Sequence, residues 1–422
     1  MTEKLKRTDI ELMSPAGSFE SLQAAIQGGA DAVYFGISNL NMRAKSSLNF
    51  TNENLNEIVD ICKTNNINTY LTVNTIIYDQ DVEEMQEIVD LAVNKGVTAI
   101  IASDMAVLNY AKKAGAEIHA STQLNISNTE ALKFFSQYCD VMVLARELNL
   151  EQVNHIYKNI IEEKITGPNG NLVKLEMFCH GALCMAISGK CYLSLHEKQY
   201  AANRGQCLQT CRKSYIVTEK ESGNELEIDN EYIMSPKDLK TIHFLNKIID
   251  SGVRVLKIEG RARAPEYVKT VTQCYNEAIN SIIDGTYNQN LIEEWDKRLA
   301  SVFNRGFWNG YYLGQRLGEW SSKYGSEASK RKRYIAKCTN YFSNLNVAEF
   351  LIETGELKIG DEILIIGSTT GVVEHTINEM HFDNGPVDSV KKGDKFSIKT
   401  KELIRRGDRL YILEENEKLN FI

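Results

Sequence analysis

The residues that could do chemistry are concentrated in one block. Residues 175–212 hold five of the nine cysteines. Four of these, Cys184, Cys191, Cys207 and Cys211, follow a C-x6-C-x15-C-x3-C spacing. The N-terminus has no continuous apolar stretch of the kind that directs secretion, so clustered thiols read as ligands of a metal or cluster before they read as disulfides. Zinc ligands usually pair as C-x2-4-C, which suits Cys207 and Cys211 but not Cys184 and Cys191. An iron-sulfur cluster needs four thiolates and tolerates wider spacing. Spacing leaves both open; the C-x3-C-x2-C triplet of radical enzymes is absent. Cys62, Cys139, Cys274 and Cys338 stand alone in apolar patterns and read as core, and Cys179 falls on the aliphatic side of its run.

A second set of candidates emerges from alternation. In short runs where every other residue faces one way, Tyr70, Thr72 and Asn74 share a face, as do His119, Ser121 and Gln123, then Glu176, Phe178 and His180, then Lys257 and Glu259. The opposite faces are nearly all aliphatic. Polar groups from four runs therefore converge, with Glu176, His180, Lys257 and Glu259 as candidates for proton transfer. Arg43, Arg146 and Arg261 lie at or just after run ends, where a guanidinium could clamp a carboxylate or phosphate.

The elements that must position these residues follow a repeating order. Eight apolar runs (10–14, 32–36, 68–74, 99–103, 118–123, 141–146, 175–180 and 253–259) alternate with helical patterns such as 18–28, 54–65, 81–95, 129–138 and 150–161. This predicts a parallel sheet closed into a (β/α)8 barrel of the TIM type, with a doubly wound open sheet as the rival. Ser235-Pro236-Lys237-Asp238 carries the signals of a helix start, with Leu239, Ile242, Leu245 and Ile248 as its stripe, and Pro265 opens the last barrel helix. A Cys-rich insertion at 181–234 follows the seventh run, which places it over the barrel mouth. The barrel is expected over 1–325. A glycine and aromatic connector, Gly306 to Gly314, and a basic run, Lys330 to Arg333, lead into a small all-β barrel over 326–422.

Composition bounds the rest. With 422 residues, 43% hydrophobic, 25% charged and a net charge of -8, the chain suits a two-domain globular protein without a membrane span, expected in the cytoplasm. The acidic balance excludes a uniformly basic coat and leaves room for a local basic face.

Beyond this, Glu176-Met-Phe-Cys-His180-Gly-Ala-Leu-Cys184, continued by Cys191-Tyr-Leu-Ser194, closely resembles the signature of the collagenase-like peptidase family of unassigned mechanism. Glu11-Leu-Met-Ser-Pro-Ala-Gly-Ser, Gly29-Ala-Asp-Ala-Val-Tyr-Phe-Gly36, Ser235-Pro-Lys-Asp-Leu239 and Leu256-Lys-Ile-Glu-Gly-Arg261 also resemble it. The C-terminal part is similar to the small barrel of translation factors. The resemblance implies an oxygen-independent hydroxylase acting on tRNA wobble uridine to give 5-hydroxyuridine. Prephenate, a dicarboxylate, would be the co-substrate, and a paralogous family member a candidate partner. It also implies a 4Fe-4S cluster on Cys184, Cys191, Cys207 and Cys211, with zinc the alternative metal.

On this reading the pyrimidine enters the barrel mouth beside Glu176, His180, Lys257 and Glu259. Arg43, Asn74, His119, Gln123, Arg146 and Arg261 bind substrate, and Lys330 to Arg333 hold RNA backbone by charge. The alternatives are the peptidase of the family's name and a non-catalytic RNA-binding or assembly factor with a structural metal. Against the peptidase, the chain has neither an H-E-x-x-H pair nor a G-x-S-x-G elbow.

Overall fold

The computed structural model describes residues 5–45, 49–216, 220–221, 234–322, 325–383 and 385–416. Parts of the expected insertion, 217–219 and 222–233, lie outside the described residues.

The apolar runs form strands because both faces of each are covered, which in a parallel sheet demands near-continuous hydrophobic sequence. Strands β1 (Glu11–Pro15), β2 (Ala32–Phe35), β3 (Asn68–Val73), β4 (Ala99–Ala102), β5 (Glu117–Ala120), β6 (Val141–Val143) and β7 (Lys174–Gly181) pair in parallel and in order. After β8 (Asp238–Lys240), strand β9 (Val253–Ile258) pairs in parallel with both β7 and β1 and closes the ring. The eight expected runs are thus the eight barrel staves, and the open-sheet rival falls. Inside, Met13, Ala32, Tyr34, Tyr70, Ala99, Ile101, Val141 and Val255 form one buried cluster. The outward faces pack into the larger core shared with the helices.

The helices carry their own end signals. Helix α1 (Phe19–Gln27) is capped by Ser18, whose hydroxyl accepts from the Ser21 N–H. The later helix over Pro265–Asp284 starts with proline at its first turn and ends on Gly285 at φ 75. Its stripe of Val268, Val271, Tyr275 and Ile279 is buried, with Ile282 half-buried.

One expected helix start is a strand. Ser235-Pro236-Lys237-Asp238 leads into β8, which lies antiparallel on the overhang of β7 through Gly181 and His180, and helix resumes only near Ile242. Tertiary partners override the local signal. Asp238 is buried against Arg263 (3.1 Å) and Arg305 (3.4 Å), and the Ser235 hydroxyl bonds Arg212 and Ser321 in place of a helix N-terminus. The glycine and aromatic connector supplies β10 (Phe307–Trp308), parallel to β8.

The basic run is not a linker. Lys330 already opens β11 (Lys330–Phe342), the long strand of an antiparallel unit of two sheets with its own core around Ile335, Phe350, Ile365 and Phe396. This unit is seated on the outside of the barrel, where Gln27 exchanges hydrogen bonds of 2.9 Å with the backbone of Thr370 and Val372.

Candidate active site

The floor of the site is a buried ion pair across adjacent strands. Phe178 of β7 registers with Lys257 of β9, and Lys257 Nζ lies 2.7 Å from Glu176 Oε1. Glu176 is fully buried and Lys257 is 5% exposed. Such a pair survives the loss of water only because each charge satisfies the other. Behind it, His119 Nδ1 stands 3.9 Å from Glu176 Oε2, its Nε2 lies 3.4 Å from Glu117, and its ring lies 4.4 Å from that of Tyr70. The Tyr70 hydroxyl donates to Glu11 Oε2 at 2.8 Å, and burial pushes the Glu11 carboxyl up. A line of titratable groups thus runs along the barrel interior to Lys257.

The rim is cationic. Glu259, immediately beyond β9, is bonded by Arg43 and by the Tyr34 hydroxyl (3.2 Å). Burial alone would raise its carboxyl, but Arg43, Arg146 and Arg261 outweigh it and bring the group down to about 2. Glu259 is therefore ionised and saturated, an organiser of arginines and not an acid. Arg261 is buried, donating to Asn41 Oδ1 (3.1 Å) and Thr72 Oγ1 (2.9 Å), and burial lowers it to about 10. Two glycines make room for it. A Cβ at Gly17 would stand 2.0 Å from the Arg261 carbonyl oxygen, and one at Gly36 would stand 2.6 Å from its guanidinium.

Across the mouth, Asn74 donates to Ser121 Oγ (3.2 Å) and Gln123 Oε1 (3.3 Å), and Gln123 reaches Ser188 of the insertion at 3.3 Å. Arg146 lies with its guanidinium 3.9 Å above the Phe178 ring and makes one long bond to the Ala182 carbonyl (3.4 Å). Its buried Nε has no hydrogen-bond partner.

The insertion is tied over this mouth. Arg204 grips Asp81 at 2.6 and 3.1 Å, and Arg212 donates to the carbonyls of Pro236 and Leu183, both at 2.6 Å. Beneath lies an open cleft lined by all four of Cys184, Cys191, Cys207 and Cys211. Arg43, Arg146, Arg212, Lys257 and Arg261 line the same cleft against Glu259, so it favours an anion. None of the four thiols is in a disulfide. They are close enough to feel one another's charge. Burial pushes Cys211 up to about 11, with Arg212 opposing and Cys184, Cys207 and Cys191 adding to the rise.

Whether these residues fit a metal group is a question of donors and place. Among the described residues, no three His, Cys, Asp or Glu side chains are gathered into a closed metal-binding group. The donor set facing the cleft is nonetheless four thiols in one place, which suits an iron-sulfur cluster or a thiolate zinc site. The residues fit in kind and location.

Eleven of the fourteen expected site residues line this one cleft: Arg43, Asn74, Gln123, Arg146, Lys257, Glu259 and Arg261, with the four thiols Cys184, Cys191, Cys207 and Cys211. Glu176 and His119 stand directly behind Lys257. His180 does not belong to it. A bulge in β7 between Phe178 and His180 shifts the alternation, and His180 packs against Tyr267, Tyr275 and Phe307 outside the barrel. Burial, helped by Lys240 and Arg263, lowers it to about 3, so it is neutral. The basic run also loses its freedom: Lys330 pairs with Glu362, Arg331 and Arg333 with Glu414, and Lys332 with Glu266. Sequence reading passed over Tyr34 and Arg212. The alternation of β2 with inward Ala32 could have found Tyr34; Arg212 follows the last thiol directly and had no other signal.

Fold and site together define a (β/α)8-barrel protein with a cationic, thiol-lined mouth. The chain belongs to peptidase family U32, whose model matches residues 17–322. It is 57% identical to a protein named collagenase from Porphyromonas gingivalis, over 97% of this chain and 99% of that one. It is 30% identical to tRNA hydroxylation protein P1 of Bacillus subtilis, over 94% of each chain. A 23S rRNA 5-hydroxycytidine synthase of Escherichia coli is 36% identical over 65% of this chain and 40% of its own. No helix among the described residues is long and apolar enough to cross a membrane.

Proposed function

We propose that this protein is an RNA-modifying enzyme of the cytoplasm. It would hydroxylate tRNA wobble uridine to 5-hydroxyuridine without oxygen, with prephenate as co-substrate. The observation that carries the proposal is the placing of four thiols, five cations and the Glu176–Lys257 pair on one cleft at the barrel mouth. Cys184, Cys191, Cys207 and Cys211 would hold a 4Fe-4S cluster, which when bound supplies a redox or Lewis-acid centre beside the substrate.

The chain's own residues have separable tasks. Lys257 presents its ammonium to the cleft, and the Glu176 carboxylate, 2.7 Å away, holds it in place. Arg146, with its unpartnered Nε, offers a carboxylate of prephenate or a phosphate of RNA a charge-assisted bond. Arg43 and Arg261 are committed to Glu259, Asn41 and Thr72, and they shape the wall. A paralogous family member is a candidate partner.

The peptidase reading has one specific support, the collagenase-named relative at 57% identity. A hydrolytic site needs a nucleophile with a base beside it. Of the cleft's hydroxyls, Ser121 and Ser188 are bonded to Gln123 and Thr72 to Arg261 and the Phe35 carbonyl, and His180 is neutral and outside. The test is nucleoside analysis of tRNA from a deletion strain, beside gelatin digestion by purified protein. Loss of one hydroxylated uridine, with gelatin intact, is the expected result. Unchanged tRNA and cleaved gelatin would overturn it.

A further inference from the structure

The four thiols ride on separate arms of the insertion. Cys184 follows β7, Cys191 precedes the short helix Leu193–Lys198, and Cys207 and Cys211 come after the turn Ala202–Arg204. Two side chains outside the expected site residues tie these arms together in pairs.

The first is Arg212, next to Cys211. Its guanidinium reaches back 29 residues to donate to the carbonyl of Leu183, next to Cys184, at 2.6 Å. It also donates to the Pro236 carbonyl (2.6 Å) and the Ser235 hydroxyl (3.1 Å). That end is well anchored. Ser235 and Ser321 are both buried, their hydroxyls lie 2.9 Å apart, and the Ser321 N–H donates to the Ser235 carbonyl at 2.8 Å. One side chain thus joins the Cys184 arm, the Cys211 arm and the approach to β8, through charge-assisted bonds of the stronger kind.

The second is Ser194, buried in the short helix that follows Cys191. Its hydroxyl accepts from the N–H of Leu208, next to Cys207, at 3.0 Å. The Cys207 arm is also seated on the barrel. Lys45 N–H donates to the Gly205 carbonyl at 3.3 Å, and a Cβ at Gly205, where φ is 75, would stand 2.2 Å from the Asn41 carbonyl oxygen.

We propose that Arg212 and Ser194 are positioning residues that hold the thiols as two pairs, Cys184 with Cys211 and Cys191 with Cys207, before the metal group arrives. This rests on the thiol-bound group proposed above and adds what organises it. Ligands fixed beforehand lose less freedom on binding, and a partner one shell out from a metal is worth roughly 10- to 100-fold in affinity. Arg212 lines the cleft together with all four thiols, so its charge also offsets that of the thiolates.

The test is the rate at which the full chain, purified without oxygen, loses its metal to a chelator. Arg204→Gln is the control: Arg204 also secures the insertion, but its bonds go to Asp81 and the Ile76 carbonyl, away from any thiol's neighbour. Arg212→Gln and Ser194→Ala should lose iron roughly 10- to 100-fold faster than the parent, with thermal unfolding close to the parent's, and Arg204→Gln should keep the parent's rate. Ser194→Ala carries the test alone should Arg212→Gln lose cooperative unfolding. The cluster's midpoint potential should fall in Arg212→Gln, which removes a positive charge beside it, and hold in Arg212→Lys, whereas a purely structural arginine would leave it unmoved. Parent-like rates in Arg212→Gln and Ser194→Ala, or equal loss in Arg204→Gln, would overturn the pairing while leaving the cluster standing. A parent holding one zinc and no sulfide would overturn the cluster, and zinc release from the same variants would then decide the pairing. A parent without metal would overturn both.

Discussion

His119 Nδ1 faces Glu176 Oε2 at 3.9 Å, and neither buried atom has another hydrogen-bond partner. With Lys257 on the other carboxylate oxygen at 2.7 Å, Glu176 is the centre of a three-membered buried set. An unpartnered carboxylate oxygen in a low-dielectric interior is costly unless something compensates it. Here Lys257 compensates on one side, and His119 stands ready on the other.

Removing one partner of that set should therefore be worse than removing two. Lys257→Met leaves Glu176 charged and buried, and is expected to cost about 3–5 kcal/mol of stability. The double change Glu176→Gln with Lys257→Met should recover most of that loss. Urea unfolding of the two variants and the parent checks this, and a double variant no more stable than Lys257→Met would contradict it.

His180 gives a pH signature. In the fold it stays neutral down to about 3, whereas an unfolded histidine takes up its proton near the ordinary value of about 6.5. Below that value the unfolded state binds a proton the fold refuses. The stability from neutral His180 is thus complete above about 6.5 and is lost progressively as the pH falls toward the folded value. His180→Gln should remove a slope of about 1.4 kcal/mol per pH unit over that interval. Denaturant midpoints for parent and variant between these limits test it.

Arg146 should matter for ligand more than for fold. Its guanidinium has one long bond within the protein, so Arg146→Ala is expected to weaken prephenate binding by about 1.5–3 kcal/mol with little change in unfolding. Arg261→Ala, which strips partners from Asn41 and Thr72, should instead lower stability. Calorimetric titration and thermal unfolding of both variants separate the two roles.

The barrel was legible in sequence because each stave, covered on two faces, is written as an uninterrupted apolar run such as Ala99–Ala102. The cleft was legible because alternation carries Asn74 and Lys257 inward without interruption. It failed where geometry broke the period. One bulge in β7 sends His180 to the helix side, and nothing in Phe178-Cys179-His180 announces it. Ser235 to Asp238 misled because the cap signals are local, while the deciding partners, Arg263 and Arg305, come from distant segments. The same holds for Lys330 to Arg333, whose neutralising carboxylates include Glu414 and Glu266, far away in sequence.

The central claim is that four thiols of the insertion hold an iron-sulfur cluster beside the Glu176–Lys257 pair. It is tested most directly by measuring iron, acid-labile sulfide and zinc in protein purified without oxygen, for the parent, Cys207→Ala and Cys179→Ala. Cys179 is buried on the barrel wall with its thiol on the Lys257 carbonyl (3.4 Å) and serves as the control. The account predicts about four irons and four sulfides per chain, retained in Cys179→Ala and lost in Cys207→Ala. A single tightly held zinc with no sulfide would contradict it.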